Sequence, residues 1–348
     1  MKHNNITINI YACGGGGINI VNKSGLVSKI TELTGDAYPL VKCHYFDTSM
    51  ANYSEFMGKD FTLVTEQTLT NVNVAAGTNG NRSYSAAMAD AAIREYIDKN
   101  KIGSGPNEIH IVIGSGAGGS GSTIAPTLVA YLGKKDLPVL PIMAGDSKDL
   151  ESVKSTRRTL LTYRRIATDI LDKPIGMIYC DNNQYSDDYI KAINQANETI
   201  KNMVMFIIML CGDNQNIDYA DIKGWINPSK LVIPVSNIYN INITTMSGDV
   251  KLSGESKVLV SRILTSENNS KPIQNLETIH SKVGIINSDI SSGLDDELFP
   301  LGFILSTGYF EAESIRLENI EKDKTSLLEK LVTPKASDIG TINGMIIV

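Results

Sequence analysis

Two clusters of residues in this chain have the types and spacing that chemistry requires. The first is a run of small residues, Gly114-Ser-Gly-Ala-Gly-Gly-Ser-Gly-Ser-Thr123, directly after the apolar segment Ile109–Ile113. A loop of this kind between a strand and a helix turns several backbone N–H groups toward one point. The helix dipole adds partial positive charge there, so the loop suits phosphate. Ser120, Ser122 and Thr123 supply hydroxyls, and glycine permits positive φ and close ligand approach. The second cluster, Asn216-Ile-Asp-Tyr-Ala-Asp221, follows a long apolar stretch and sets Asp218 three residues before Asp221. Two carboxylates on one turn can polarise and orient an attacking water. Neither cluster suffices alone; together they point to a nucleotide hydrolase whose site is completed by a neighbouring copy of the chain.

Three further loops belong with the first cluster. Gly14-Gly15-Gly16-Gly17, followed by Asn19, opens a helix; Phe46-Asp47-Thr48-Ser49 ends a strand; and Gly77 to Asn81 and Arg82 lies before another helix. The spacing Gly114-x-Gly116-x-x-Gly119 also fits the dinucleotide fingerprint, so an NAD-dependent Rossmann oxidoreductase is a competing reading. That reading requires an acid about 20 residues past the loop for the ribose, and it leaves Asp218 and Asp221 without a role. No Gly-x-x-x-x-Gly-Lys-Ser/Thr occurs, which excludes a Walker-type phosphate loop.

The elements that must carry these loops alternate. Apolar runs at Ile6–Ala12, Val41–Asp47, Ile109–Ile113, Val139–Met143 and Ile175–Cys180 are separated by turns and helical stretches, the pattern of a mostly parallel sheet covered by helices. Ligands then lie at the carboxyl ends of the strands. From Ser186 to Met209 the pattern is helical without Gly or Pro, a helix of roughly 35 Å. Beyond Asn227-Pro228, short β-rich runs at Leu231–Val235, Val258–Ile263, Val283–Ile286 and Gly302–Thr307 predict a smaller α/β domain. A charged helix from Glu311 to Leu331 and a tail ending Gly344-Met-Ile-Ile-Val348 follow. The expected division is residues 1–185, a central helix 186–213, a second domain 214–310, and a helix with tail 311–348.

Bulk composition narrows the class. A chain of 348 residues has room for about two domains. A net charge of -6 argues against a protein that coats nucleic acid directly. Cys13, Cys43, Cys180 and Cys211 have neither CxxC nor metal-ligand spacing, so reduced thiols are expected. The longest apolar segment, Met203–Cys211, is far short of the ~20 residues of a membrane span. Met1–Asn5 leads straight into an alternating strand rather than a signal peptide, so the expected location is the cytoplasm, with no membrane partner.

These residues resemble the tubulin/FtsZ superfamily. Its signature loop is similar to Ala117-Gly118-Gly119-Ser120-Gly121-Ser122, with Ser120 where Thr is usual and Thr123 where a final Gly is common. Its element after the central helix is similar to Asn216-x-Asp218-x-Ala220-Asp221. Phe46-Asp-Thr, Gly77-x-x-Gly-Asn-Arg82, Pro126, Trp225 and the apolar carboxyl end resemble the phage-encoded tubulins called PhuZ. The resemblance implies a Rossmann-like GTPase domain, a long central helix, and GTP or GDP with Mg²⁺ in the loops. It implies that Asn194, Asn197 or Asn19 reads guanine, and that Asp146–Arg158 contacts the ribose or γ-phosphate. Lys154, Arg157, Arg158, Arg164 and Arg165 read equally as a solvated helix face. It also implies head-to-tail filaments, joined through the Asn216–Asp221 loop and the tail, that position phage DNA in the bacterial host cytoplasm, with a cargo or DNA adaptor as a further partner. A plasmid- or prophage-partitioning filament of the TubZ kind is the related alternative.

Overall fold

The computed structural model describes residues 6–33, 38–64, 82–212, 214–228, 233, 235–245, 257–264, 282–286, 301–306, 308–332, 340–342 and 345–347. Six parallel strands form its amino-terminal part: β1 (Thr7–Cys13), β2 (Leu40–Asp47), β3 (Phe61–Leu63), β4 (Glu108–Ser115), β5 (Val139–Gly145) and β6 (Ile175–Asp181). Their spatial order is β3-β2-β1-β4-β5-β6. This is the doubly wound arrangement, in which connections leave in opposite directions from β1 and open a crevice at the strand ends. The register aligns those ends: Cys13 pairs with both Phe46 and Gly114, Gly114 with Met143, and Gly145 with Asp181.

Because a strand alternates its side chains, each parallel strand feeds two cores. Ile8, Ile10, Ile111 and Ile113 face α1 (Gly14–Lys23), α2 (Leu26–Glu32), α6 (Tyr189–Leu210) and α7 (Tyr219–Ile226). Tyr11, Val112, Met143 and Tyr179 face α3 (Arg82–Lys99), α4 (Gly121–Lys134), α5 (Leu150–Arg165) and α8 (Tyr309–Val332). Burial on both faces explains why these strands read as continuous apolar runs.

The central helix α6 is capped at its start by Asp188, whose side chain accepts from Ile190 N and Lys191 N. Its first half buries one stripe, Ala192, Ala196 and Ile200, whereas Val204–Leu210 is buried all round. At 22 residues it is roughly 33 Å long.

The sheet does not stop at β6. β8 (Ile238–Thr245) pairs parallel to it through Ile175↔Ile238, Gly176↔Tyr239 and Met177↔Asn240. Beyond it lie β11 (Leu301–Ser306), β9 (Lys257–Leu264), β10 (Lys282–Ile286) and β7 (Asn214–Gln215), in the order β8-β11-β9-β10-β7. The expected strand at Leu231–Val235 is not present at its described residues: Ile233 and Val235 sit in bends, and the chain enters the sheet at Ile238 instead. The tail forms its own two-stranded antiparallel sheet, β12 (Gly340–Ile342) with β13 (Met345–Ile347). Among the described residues no helix is long and apolar enough to cross a membrane, and the four cysteines form no disulfide.

Candidate functional site

Four helices follow strand ends, and their starts differ. Asp149 caps α5, accepting from Ser152 N, and Asp188 caps α6. The starts of α1 and α4 have no side-chain cap and no acid in the first turn. Their backbone donors therefore point at the crevice without a competing anion, which is the chemistry of a phosphate site. The two starts also abut: Gly14 has φ +67°, and a Cβ there would overlap the Gly121 backbone nitrogen. Two helix dipoles thus converge on one place.

The hydroxyls of the glycine loop have different roles. Ser122 and Thr123 are buried, and both donate to Gly119 O, at 3.0 and 2.8 Å. They brace the loop from inside. Ser120 is half-buried and caps nothing; its Oγ lies 2.6 Å from Thr48 Oγ1. Gly118 is exposed, and a Cβ there would meet no protein atom within 4 Å. Gly116 is buried and donates to Ala144 O, while Ala117 and Gly119 are half-buried.

Asp47, expected among the nucleotide-binding residues, closes β2. It is 2% exposed, and its two carboxylate oxygens accept from Thr48 N at 2.7 Å and Asn52 Nδ2 at 2.9 Å. Asn52 lies against Gly15, where a Cβ would crowd its amide. Thr48 and Asn52 therefore join the site. The sequence pattern misses their roles because these depend on contacts with α1 and with Ser120, far along the chain. Gly77 and Asn81 lie outside the described residues, and of Arg82 only its place at the start of α3 is described.

On the loop after β5, Asp146 is buried, accepting from Lys148 N and, at 2.9 Å, from the Tyr189 hydroxyl. Lys148 Nζ sits 3.7 Å over the Tyr189 ring. These contacts tie the start of α6 to the same end of the sheet. There Ile190, 71% exposed, and Asn194, also exposed, stand one turn apart beside a shallow depression of about 570 Å³. Asn197 and Asn19 are half-buried. The basic residues of α5 do not converge on the crevice: Arg157 pairs with Glu318 and Glu321 of α8, Lys154 pairs with Glu151, and Arg158, Arg164 and Arg165 are exposed. From α8, Arg316 bonds the buried Asp181 at the end of β6, and Lys324 donates to Lys148 O.

The acidic element sits elsewhere. Asp218 caps α7 in a reciprocal capping box: its side chain accepts from Asp221 N at 3.0 Å, and Asp221 Oδ2 from Asp218 N at 3.1 Å. Asn216 takes φ +75° to make the turn, and Ile217 anchors it in the core. Tyr219 OH donates to the carbonyl of Glu108, the first residue of β4, and Asn227 Nδ2 to Leu137 O, just before β5. The element thus lies at the amino ends of the strands, while the glycine loops lie at the carboxyl ends. Eight residues of β4 separate them by roughly 25 Å. Among the described residues no group of three or more His, Cys, Asp or Glu is placed to hold a metal.

No protein-family model matches the chain. Two curated relatives, each described as a phage tubulin-like protein, come from Pseudomonas phages phiKZ and 201phi2-1. The first is 26% identical over 62% of this chain and 61% of its own length, so that match spans under two thirds of the relative. The second is 22% identical over 84% of each. Among solved structures, a TubZ protofilament from bacteriophage phiKZ superposes with TM-score 0.74, 18% identity, and coverage of 99% of this chain and 100% of that one. The phage tubulin PhuZ with GDP gives 0.72 at 19% identity, covering 98% and 100%. Six parallel strands, a 22-residue central helix, a mixed second half of the sheet and a long carboxyl-terminal helix make this chain a protein of the tubulin/FtsZ fold, similar to the phage tubulins.

Proposed function

We propose that the chain is a GTPase that assembles head to tail into filaments and cleaves nucleotide where two copies meet. The separation of the phosphate-binding loops from Asp218 and Asp221, at opposite ends of the sheet, carries this reading. One chain cannot bring both to one phosphate, whereas a second copy stacked end on end can. A heterologous contact of that kind extends into an open filament unless its rotation closes a ring. The resemblance to PhuZ and the GDP in its structure support a guanine nucleotide.

The starts of α1 and α4, with Gly116–Gly121, hold the phosphates. Ile190 offers an apolar face to the base and Asn194, one turn on, a paired donor and acceptor for guanine; their exposure favours Asn194 over Asn197. Asp218 and Asp221 orient water toward the neighbour's γ-phosphate, and a carboxylate accepts several hydrogens, so the capping box is compatible with that work. Among the described residues no protein cage would hold Mg²⁺, so the ion would be bound together with the phosphates beside Ser120, where it would offset phosphate charge. The tail hairpin is too small to be stable alone, so β12 and β13 dock on the next copy. In a phage-infected bacterium such filaments position phage DNA in the cytoplasm, through a cargo or adaptor rather than direct nucleic-acid contact.

An NAD-dependent oxidoreductase fits less well. The acid just past the end of β5, Asp146, is buried and engaged by Lys148 N and Tyr189, not presented to a ribose. Light scattering and phosphate release with GTP, GDP and NAD in turn separate the readings. Assembly with GTP alone, with release rising more steeply than protein concentration, is expected. Release strictly proportional to concentration, without scattering, would sink the shared-site reading.

A further inference from the structure

Two contacts around Ser120 say more than its membership of a glycine loop. Thr48 is 2% exposed, and the hydroxyl given to it is that of Ser120, at 2.6 Å. A buried hydroxyl proton needs an acceptor. With Thr48 donating to Ser120 Oγ, the Ser120 proton is left to turn away from Thr48, toward the half-open side of the loop. The neighbouring hydroxyls cannot substitute, since Ser122 and Thr123 each direct their proton to Gly119 O. Thr48 is itself held, because its backbone N–H donates to Asp47 Oδ1, and Asp47 Oδ2 is fixed by Asn52.

We infer that Thr48 is a positioning residue for phosphate recognition: from the end of β2 it orients the Ser120 hydroxyl as a donor to the bound anion. The inference rests on the nucleotide reading above, but it adds a directional hydroxyl pair, Thr48 Oγ1–H to Ser120 Oγ, with Asp47 holding the Thr48 backbone. Its consequence is a dependence on the Thr48 oxygen, and not on its methyl group. A Thr48→Val chain keeps the shape and loses the donor, whereas Thr48→Ser keeps the donor.

The test is a double-mutant cycle on full-length chain, with GTP affinity from calorimetry and turnover from phosphate release. Parent, Thr48→Val, Ser120→Ala, the double variant and Thr48→Ser are compared, with thermal melting of each. GTP binding by the parent is the control for the nucleotide reading itself, and its absence refutes that reading rather than the hydroxyl pair alone. Thr48→Val is expected to weaken GTP about tenfold, Ser120→Ala by a similar factor, and the double variant no further, because the first residue acts through the second. Thr48→Ser should stay within about twofold of the parent. Multiplicative effects in the double variant, unchanged affinity in Thr48→Val, or a Thr48→Ser chain as impaired as Thr48→Val would overturn the proposal. Should Thr48→Val melt before binding can be measured, the Thr48→Ser and Ser120→Ala arms still decide: a tenfold loss in Thr48→Ser, or none in Ser120→Ala, refutes it.

Discussion

The two ends of the parallel sheet are built on opposite plans. At the carboxyl ends, shape comes from glycine: Gly14 lies against Gly121 so closely that no side chain fits between α1 and α4, and the helix starts are left uncapped. At the amino ends, the candidate groups are two carboxylates, Asp218 exposed and Asp221 half-buried, each accepting the other residue's backbone N–H in a capping box, above a buried polar cluster. That cluster joins Asn9, Glu108, His44, Tyr96, Tyr11 and His110, and Tyr219 of α7 rests on Glu108. The first end is a mould, in which function and packing are hard to separate. The second is an appendage, in which they come apart.

The strongest way to break this comparison is at Asp218 and Asp221. Replacing either by Ala should lower GTP turnover by ~10²–10⁴, the usual worth of positioned acid–base groups, with GTP affinity little changed. The lost cap should cost only about 1 kcal/mol of stability. Phosphate release and denaturant unfolding on the same samples check both halves; parental turnover in both variants would remove the carboxylates from the mechanism.

Next comes a contrast within the mould. Gly118→Val faces open space in the protein and should weaken GTP by about 100-fold, nearly 3 kcal/mol, with the melting temperature unchanged. Gly14→Val, at positive φ and in backbone contact, should lose fold and binding together. Calorimetry and melting curves distinguish the two, and equal GTP affinity in Gly118→Val and parent would exclude that part of the loop from the ligand.

Removing Ser337–Val348 is expected to have a smaller effect. Its apolar strand Met345–Ile347 should contribute to the contact between copies, so the critical concentration for assembly should rise about tenfold, or ~1.4 kcal/mol, with monomer folding and GTP binding intact. Sedimentation of polymer against protein concentration reads this directly. A truncated chain that assembles like the parent has no such clamp.

The smallest effect sharpens the second plan. Burial holds His44 down at about 3 and His110 at about 4, against an ordinary value near 6.5. The unfolded chain therefore binds protons that the folded chain refuses, and stability present above pH 6.5 is lost as pH falls toward those values. From pH 7 to 6 the two should cost about 1 kcal/mol, measurable by urea unfolding at each pH. Invariant stability over that step would mean that the cluster accepts protons while folded.

The same contrast explains what sequence reasoning could reach. Strands buried on both faces are runs of Ile and Val, and a 22-residue helix opened by Asp188 has few alternatives, so β1, β2, β4–β6 and α6 are placed within a few residues. β8 is not legible because Asn240 and Asn242 interrupt its apolar residues; Asn240 is buried and donates to Asn242 Oδ1 along the strand. The glycine loops and the Asp218–Asp221 element are legible because their geometry is local to the backbone. The contacts of Thr48 and Asn52 are not legible in the sequence, since each involves a partner distant in the chain or on another element, and neither is the burial of Asp47, which accepts from both. Nor are the partners of Arg157 legible, because its carboxylates, Glu318 and Glu321, stand on α8, 161 and 164 residues further on.

The proposed division of one reaction between opposite poles of the sheet has an arithmetic consequence. A row of n copies would hold n nucleotides but only n−1 junctions, so the copy at one terminus would always keep a nucleotide that nothing can cleave. A lone molecule would be inert, a pair would have a single working junction, and turnover per molecule would climb with length toward a plateau. Such a polymer would carry a record of age along its axis, older interior units having been converted and the newest unit not. The two termini of the row would therefore be chemically unlike, although every subunit in it has the same sequence.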